Sequence, residues 1–141
     1  MKITRKILHG LIPLYYLTLS ACASIPLNLV NTLSRNSDTL VNKNIAYAAN
    51  KKNILDIYQP ARGRTQGEKV GSAPVVIFFY GGCWGACKTY TKNKYEFVAQ
   101  SLSKNGVLVV IADFRIFPQY RFSDTITDAA QTVTWVKNNI H

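Results

Sequence analysis

The feature that most constrains the fold is an apolar segment that ends in two glycines. Six apolar or aromatic residues, 75–80, stand directly before Gly81 and Gly82 in the sequence Pro74-Val-Val-Ile-Phe-Phe-Tyr-Gly-Gly-Cys-Trp84. A short unbroken apolar run predicts a buried strand, and the glycine pair predicts a tight turn at its end. Because glycine has no side chain to cover its backbone, such a turn presents N–H donors to a developing negative charge.

The chain after this turn alternates between helix and strand. Helical spacing of apolar residues predicts a helix over 94–103, and Asn105-Gly106 predicts its left-handed end. The apolar run 107–112 predicts a second buried strand. A last helix is predicted from the N-cap Ser123 onward, and its apolar stripe is expected to pack flat on the sheet. The stripe comprises Ile126, Ala129, Ala130, Val133, Val136 and Ile140. This order predicts an α/β fold with parallel pairing.

Two short strands are predicted ahead of the central segment. They cover 45–48 and 53–58, and the polar turn 50–52 joins them. Side chains alternate between the two faces of a strand, so alternate residues of the second strand face opposite ways. Ile54, Asp56 and Tyr58 form one set, and Leu55 and Ile57 form the other.

Together these segments resemble the N-terminal half of the α/β-hydrolase carboxylesterases of the lipase/esterase type. That family carries a His-Gly-Gly-x-Trp oxyanion motif, an Asp-Tyr-Arg-(x)2-Pro strand end and an Asp-Ala-x-x-Ala-x-x-Trp helix. Here the corresponding segments begin at Tyr80, Asp113 and Asp128, and Leu55-Asp-Ile-Tyr-x-Pro60 resembles the family's second strand. The resemblance runs in order over about 45–141. It implies an incomplete α/β fold, the N-terminal part of a hydrolase sheet with mostly parallel strands and flanking helices.

The resemblance also implies an oxyanion turn. The backbone N–H groups of Gly82 and Cys83 would stabilise the tetrahedral intermediate of ester hydrolysis, and Gly81 would allow its close approach. Trp84 would pack beneath the turn. The alternative for the two glycines is a plain turn at the end of a strand.

Three further residues support the motif. Tyr80 stands where the family usually has His, and its hydroxyl would either replace some of the hydrogen bonding of that His or only fill space. Asp113 and Arg115 are expected to form a structural ion pair in the manner of the family. The alternative is a solvated strand end.

The sequence contains no Gly-x-Ser-x-Gly motif, and its two histidines are His9 and His141. The resemblance therefore implies a chain that supplies the oxyanion turn of a carboxylesterase-like serine hydrolase but not its nucleophile, base or acid. We expect little hydrolysis of its small-molecule ester substrate by this chain alone, and a nucleophile about 10 to 25 residues beyond His141.

Three explanations for the missing catalytic residues remain open. The chain is a fragment of a longer enzyme, or a noncatalytic membrane-anchored lipoprotein with a binding or structural role, or one half of a pair whose second polypeptide supplies the other strands. Without the missing strands, the strand at 75–80 is expected to leave an open apolar edge that favours self-association.

The N-terminus has the parts of a bacterial lipoprotein signal. Basic residues at positions 2, 5 and 6 precede an apolar run over 7–19, and Leu19-Ser-Ala-Cys22 resembles a lipoprotein box with Cys22 as the lipid attachment site. An ordinary cleaved signal is the alternative. We therefore expect a signal peptide over 1–21, a tether over 22–44 and the partial hydrolase domain over 45–141. The expected location is the cell envelope, at the outer membrane in a Gram-negative bacterium.

The charge and the cysteines of the chain indicate which partners, metals and disulfide bonds are expected. The net charge is +10, and beyond the basic residues of the signal segment the lysines and arginines are scattered, which favours weak attraction to anionic membranes and argues against a nucleic-acid partner. Zinc-type spacing and phosphate loops are absent from the sequence, so neither a metal nor a cofactor is expected. Cys83 and Cys87 are close enough in sequence to allow a disulfide, but two free thiols are the favoured reading because so short a loop gains little stability.

Overall fold

The computed structural model describes residues 25–35, 38–60, 73–81 and 90–140. Within these ranges the chain forms helices on a small sheet. The elements are α1 Ile25–Ser34, β1 Leu40–Ala46, β2 Ile54–Gln59, β3 Val75–Phe78, a 3₁₀ turn Lys92–Tyr95, α2 Glu96–Lys104, β4 Leu108–Ala112 and α3 Phe122–Asn139. The predicted α/β class is confirmed.

The sheet has the strand order β1-β2-β4-β3. β3 and β4 pair in parallel across the α2 connection, as the alternation of strand and helix predicts. β1 pairs antiparallel with β2, and β2 pairs antiparallel with β4. The described sheet is therefore mixed rather than mostly parallel. The seven-residue connection between β1 and β2 is the reason for the first pairing, because parallel strands need a crossover of about a dozen residues or more.

The strands bury side chains on both faces of the sheet. On one face Leu55 and Ile57 of β2 pack with Val110, Ala112 and Val136. On the other face the core includes residues from β2, β4 and α2, namely Tyr58, Val109, Ile111 and Ala99, together with Tyr80. The predicted alternation along β2 is confirmed, and the two cores make a layered domain with α2 and α3 on opposite faces.

Helix α2 ends where the sequence predicts, just before Asn105 and Gly106. Gly106 has φ of 83°, the left-handed conformation in which glycine carries no steric penalty. Its N–H donates to the carbonyl of Ser103 at 3.1 Å, and Val107 N–H donates to Leu102 at 3.3 Å. The predicted glycine stop is confirmed, and it turns the chain directly into β4.

Helix α3 differs from its prediction at two points. Arg121 is the N-cap, and Asp124 accepts the Arg121 backbone N–H at 3.0 Å, so the prediction of Ser123 as N-cap is wrong. Ile126 and Val133 of the predicted stripe are 55% and 50% exposed, and the prediction that they pack on the sheet is also wrong. The buried side chains of α3 are those of Asp128, Thr132 and Val136. The helix is rotated because Asp128 is drawn inward by hydrogen bonds to the end of β4.

The residues predicted as a tether contain α1 and most of β1, so this prediction is wrong for the part of 22–44 that the structure describes. Asn31 of α1 is buried, and its side chain bonds to the 3₁₀ turn and to the start of α2. Its amide nitrogen donates to the carbonyl of Asn93 at 2.9 Å, and its amide oxygen accepts the N–H of Phe97 at 2.9 Å. Apolar periodicity does not reveal this helix because its buried contact is made by an amide.

Strand β3 lies at one end of the strand order and is paired through β4. Val75 and Val76 are 43% and 37% exposed, so the expectation of a fully buried strand is wrong within the described sheet. An apolar edge strand without charged residues is a site for further pairing. This exposure agrees with the expected open edge, while self-association stays a prediction.

Candidate functional site

The candidate site begins where β3 ends. Tyr80 is buried, with 5% of its surface exposed, and the next residue, Gly81, is exposed to open space. Gly82, Cys83 and Trp84 lie outside the described residues, as do Cys22 and Cys87. Their assigned roles stay predictions.

One carboxylate oxygen joins the two sides of the turn. Oδ1 of Asp113 accepts a hydrogen bond from the Tyr80 hydroxyl at 2.7 Å and a second from the backbone N–H of Lys92, also at 2.7 Å. Tyr80 immediately precedes the turn, and Lys92 follows the connection that contains it. Asp113 thus fixes both ends of the segment 81–91 at the carboxyl end of β4. We call these three residues the Asp113 clamp.

Aromatic rings surround the Tyr80 side of the clamp. The Tyr80 ring stacks on Tyr95 with centroids 5.1 Å apart and lies against Phe114 at the same centroid distance. The Tyr95 hydroxyl donates to the carbonyl of Gly81 at 3.1 Å, which orients the first peptide group of the turn. Offset rings at such distances attract each other as well as filling space. The first residue of the turn, Gly81, is therefore held by a cluster of packed aromatic side chains.

Burial raises the pKa of Tyr80, and the hydrogen bond to Asp113 raises it further because the anionic acceptor favours the protonated hydroxyl. The hydroxyl therefore remains a donor over the physiological pH range. The structure shows that the Tyr80 hydroxyl forms a hydrogen bond, while the prediction that it replaces the bonding of the family's His stays a prediction.

A second chain of hydrogen bonds supports Asp113 from the β1–β2 side. The Tyr47 hydroxyl donates to the backbone carbonyl of Asp113 at 2.8 Å. The Asn53 amide in turn donates to the Tyr47 hydroxyl at 2.9 Å. Because buried polar groups joined in this way hold one another in a single arrangement, the chain end of β4 that carries Asp113 is tied to the connection between β1 and β2.

The Lys92 side of the clamp is held by a buried ion pair. Lys92 Nζ lies 2.9 Å from Asp56 Oδ1, and the two side chains are only 2% and 1% exposed. Nζ also donates to Asn44 Oδ1 at 2.8 Å, and the Asn44 backbone N–H donates to Asp56 at 2.7 Å. Asn44 has φ of 60° at the irregular register between Asn42 and Ile45, a conformation that asparagine tolerates better than most residues.

The expected ion pair between Asp113 and Arg115 is wrong, and so is the alternative of a solvated strand end. Arg115 pairs with α3: Nη2 lies 2.6 Å from Asp128 Oδ1, and Nη1 lies 3.0 Å from Asp124 Oδ1. The Arg115 backbone N–H also donates to Asp128 Oδ2 at 2.9 Å. Residues two positions apart in a strand point to the same face of the sheet. Asp113 and Arg115 lie beyond the end of β4, so this rule does not bring their side chains together.

The arginine changes the acidity of its partner. Burial opposes ionisation of the Asp128 carboxyl, but hydrogen bonds from Arg115 outweigh it and hold the pKa of Asp128 below its usual value. Asp128 is therefore a charged anchor between α3 and the end of β4. Among the described residues no cluster of three His, Cys, Asp or Glu side chains is placed to hold a metal ion.

Comparison with known proteins decides the family. Residues 55–141 match the model of the BD-FAE family. The chain belongs to the BD-FAE family. The match begins within β2 and runs through α3, so β1, Tyr47 and Asn53 lie before it. Together with the relatives below, it confirms the resemblance to α/β-hydrolase carboxylesterases.

The curated relatives of this BD-FAE chain are esterases. It is 34% identical over 100 residues to the isoprenylcysteine alpha-carbonyl methylesterase of Arabidopsis thaliana, covering 71% of this chain and 21% of the relative. It is 26% identical over 96 residues to a 3-O-acetylpapaveroxine carboxylesterase of Papaver somniferum, covering 68% of this chain and 30% of the relative. The chain thus spans less than a third of the length of these relatives.

Solved structures agree on the fold. Esterase B from Lactobacillus rhamnosis superposes with a TM-score of 0.65 and 19% identity, covering 99% of this chain and 41% of that one. A hyperthermophilic esterase from the archaeon Pyrobaculum calidifontis superposes with a TM-score of 0.61 and 20% identity, covering 82% of this chain and 35% of that one. At these identities the likeness establishes the α/β-hydrolase fold.

Sequence reasoning missed three polar residues that support the turn of this BD-FAE chain. Lys92 belongs to none of the predicted elements, and Tyr47 and Asn53 fall within the predicted strands 45–48 and 53–58. One signal was available: Asp56 shares a strand face with Ile54 and Tyr58. Because a buried carboxylate requires a partner, its position pointed to an unidentified cation.

Proposed function

We propose that this chain is the N-terminal part of a carboxylesterase-like serine hydrolase and that it supplies the oxyanion turn for hydrolysis of an uncharged carboxylic ester. The observation that carries the proposal is the Asp113 clamp. It fixes the two ends of the segment that contains Gly81, Gly82 and Cys83, and it does so with short hydrogen bonds in a buried site.

The clamp matters because oxyanion donors act through preorganisation. Backbone N–H groups stabilise the tetrahedral intermediate most when they already point at the position its oxygen will take, and loss of one donor costs about 10² to 10³ in kcat. In the proposed reaction the N–H groups of Gly82 and Cys83 are the donors. The serine nucleophile and its histidine and acid come from polypeptide outside the 141 residues.

The test is to express the reading frame that contains these residues to its own stop codon and to assay hydrolysis of p-nitrophenyl butyrate. We expect turnover that a serine-directed phosphonate abolishes, with the label on a Gly-x-Ser-x-Gly serine. A frame that ends without this motif, or a full product that does not hydrolyse the ester, would overturn the proposal and favour the noncatalytic lipoprotein.

The clamp itself has a matched test in the same full-length enzyme. Asp113→Asn weakens two charge-assisted hydrogen bonds, so we expect kcat to fall about ten-fold or more while KM changes little. Thr134→Ala, at an exposed position of α3, is the control and should leave both constants unchanged. Equal kcat values for Asp113→Asn and the control would show that the clamp does not position the turn.

We also propose that the protein is anchored in the bacterial cell envelope through lipid on Cys22, at the outer membrane in a Gram-negative source. The lipoprotein-box resemblance at residues 19–22 supports this, and two or more acyl chains give stable anchoring. Globomycin, which blocks lipoprotein signal cleavage, should cause the precursor to accumulate. Normal cleavage in its presence would support the ordinary signal peptide instead.

A further inference from the structure

Helix α1 carries the polar contact of Asn31 inward and the apolar side chains of Leu29, Val30 and Leu33 outward. Asn31 is 7% exposed, whereas Leu29 and Leu33 are 55% and 74% exposed. Successive residues of an α-helix are about 100° apart, so residues two positions before and after Asn31 lie on the opposite side of the helix. Helices on protein surfaces normally show the reverse arrangement, with the apolar stripe inward.

The outward side is also uncharged. Helix α1 has the sequence Ile-Pro-Leu-Asn-Leu-Val-Asn-Thr-Leu-Ser, with neither an acidic nor a basic residue. Val30 is 41% exposed and extends the apolar surface formed by Leu29 and Leu33. Single exposed leucines are common, but a contiguous exposed patch on an uncharged helix marks an interaction surface. We call Leu29, Val30 and Leu33 the α1 leucine face.

The helix is fixed to the domain. Besides the hydrogen bonds of Asn31 to the 3₁₀ turn and to α2, Lys94 Nζ donates to Asn28 Oδ1 at 3.0 Å. These contacts hold α1 from its polar side, so the α1 leucine face points away from the protein. The domain therefore presents this face in one defined direction.

Two features of the chain indicate what the face meets. Residues 1–24 lead directly into α1, and they contain three basic residues, the apolar run 7–19 and Cys22. Ile25 stands three positions after Cys22, and an extended chain spans at most about 3.6 Å per residue, so an anchor at Cys22 would hold the start of α1 within about 11 Å of the bilayer surface. This argument rests on the proposed lipid anchor.

Charge complementarity is the second feature. Arg35 follows the helix and is exposed, and Lys94 lies against its polar side. A helix that is apolar on one side and flanked by cations suits the boundary between acyl chains and anionic headgroups. None of the helices in the described ranges is long and apolar enough to cross a membrane. With its ten residues α1 is about 15 Å long, about half the thickness of the hydrocarbon core of a bilayer, so in this proposal it lies along the surface.

We propose that the α1 leucine face inserts into the surface of an anionic bilayer. The face is a second membrane contact beside the lipid on Cys22. A lipid alone leaves the domain free to rotate, whereas a rigidly attached apolar helix face fixes one side of the domain against the membrane.

Site-specific photocrosslinking in cells tests this proposal with the full chain. A diazirine amino acid is placed at Leu33 on the face, or at Thr32 beside it as the matched control, and adducts are identified by mass spectrometry after irradiation. Thr32 is also exposed and is adjacent in sequence. We expect phospholipid adducts at position 33 at least about five-fold above those at position 32, since the depth of an interfacial helix differs between its two sides.

Three results would overturn the proposal. Adducts at position 33 with another polypeptide or with a later part of the same one would show that protein covers the face. Equal lipid adducts at both positions would show that α1 is not oriented, and no lipid adduct at position 33 would show that the face stays in water. Globomycin reports separately on Cys22, and the esterase assay reports on the active site, so a failure of either earlier proposal is distinguishable from a failure of this one.

Discussion

Replacing Asp113 gives the sharpest measure of how firmly the candidate oxyanion turn is held. Asp113→Ala removes the acceptor of two buried donors, the Tyr80 hydroxyl and the Lys92 backbone N–H. Each buried donor left without a partner costs about 1–3 kcal/mol, so we expect unfolding free energy to fall by about 4 kcal/mol in total. This is a large share of the about 5–15 kcal/mol that stabilises a domain.

Two smaller substitutions show how much of the lost unfolding free energy comes from each hydrogen bond. Tyr80→Phe removes one donor and leaves the bond from Lys92, so about 1–2 kcal/mol should be lost. Asp113→Asn retains an acceptor oxygen and should cost about the same, through loss of charge assistance. In the double variant Tyr80→Phe/Asp113→Ala no hydroxyl is left unpaired, and the loss should be smaller than the sum of the single losses by about 1–2 kcal/mol.

Urea unfolding followed by circular dichroism provides these values from the midpoint and slope of each transition. Thr134→Ala is the control and should stay within about 0.5 kcal/mol of the unmodified protein, as surface substitutions usually do. A loss below about 1 kcal/mol for Asp113→Ala, or additive losses in the double variant, would contradict the conclusion that this carboxylate joins the two ends of the turn segment.

Three further predictions concern the surroundings of the clamp. Lys92→Met leaves the buried Asp56 carboxylate without its cation and should lower the free energy of unfolding in urea by about 3–5 kcal/mol. The double variant Lys92→Met/Asp56→Asn should recover more than half of this loss. A double variant as unstable as the single one would contradict the buried ion pair. Burial raises the pKa of Tyr58 and Tyr80 above the ordinary value of 10.0, so their contribution to stability is complete below pH 10.0 and declines as pH rises above it. Tyrosinate absorbance from these residues should therefore appear only together with loss of the circular dichroism signal, and ionisation in the folded protein would disprove the burial argument. Gly106→Ala places a side chain at φ of 83° and should lower the free energy of unfolding by about 1 kcal/mol. Asn105→Ala in the same turn is the comparison. An unchanged urea midpoint for Gly106→Ala would show that the turn relaxes without strain.

Local patterns predicted several elements correctly because their causes lie within a few residues. The period of two along 54–58 predicted which side chains face each core, and the helix over 94–103 with its glycine stop was found near its observed position. The parallel pairing of β3 and β4 followed from the helix between them. The motif order also indicated the family that the comparisons confirmed.

Two predictions failed where a polar group decides which side of an element is buried. Periodicity placed Ile126 and Val133 of α3 against the sheet, but the bonds between Asp128 and Arg115 rotate the helix away from that arrangement. Helix α1 was assigned to a tether because its inward contact is Asn31, which an apolar pattern does not register. In both cases a hydrogen bond to a distant segment outweighed the local hydrophobic pattern.

The sequence by itself determined the α/β class, the position of the glycine turn after β3 and the chemical types of the residues around it. Only the tertiary structure decided that Asp113 accepts from Tyr80 and Lys92, and that Lys92 is neutralised by Asp56, which lies 36 positions earlier in the chain. The physical reason is that a buried polar group must find a partner, but its sequence context specifies only that requirement. Which donor meets which acceptor depends on how the sheet and its connections bring distant residues together.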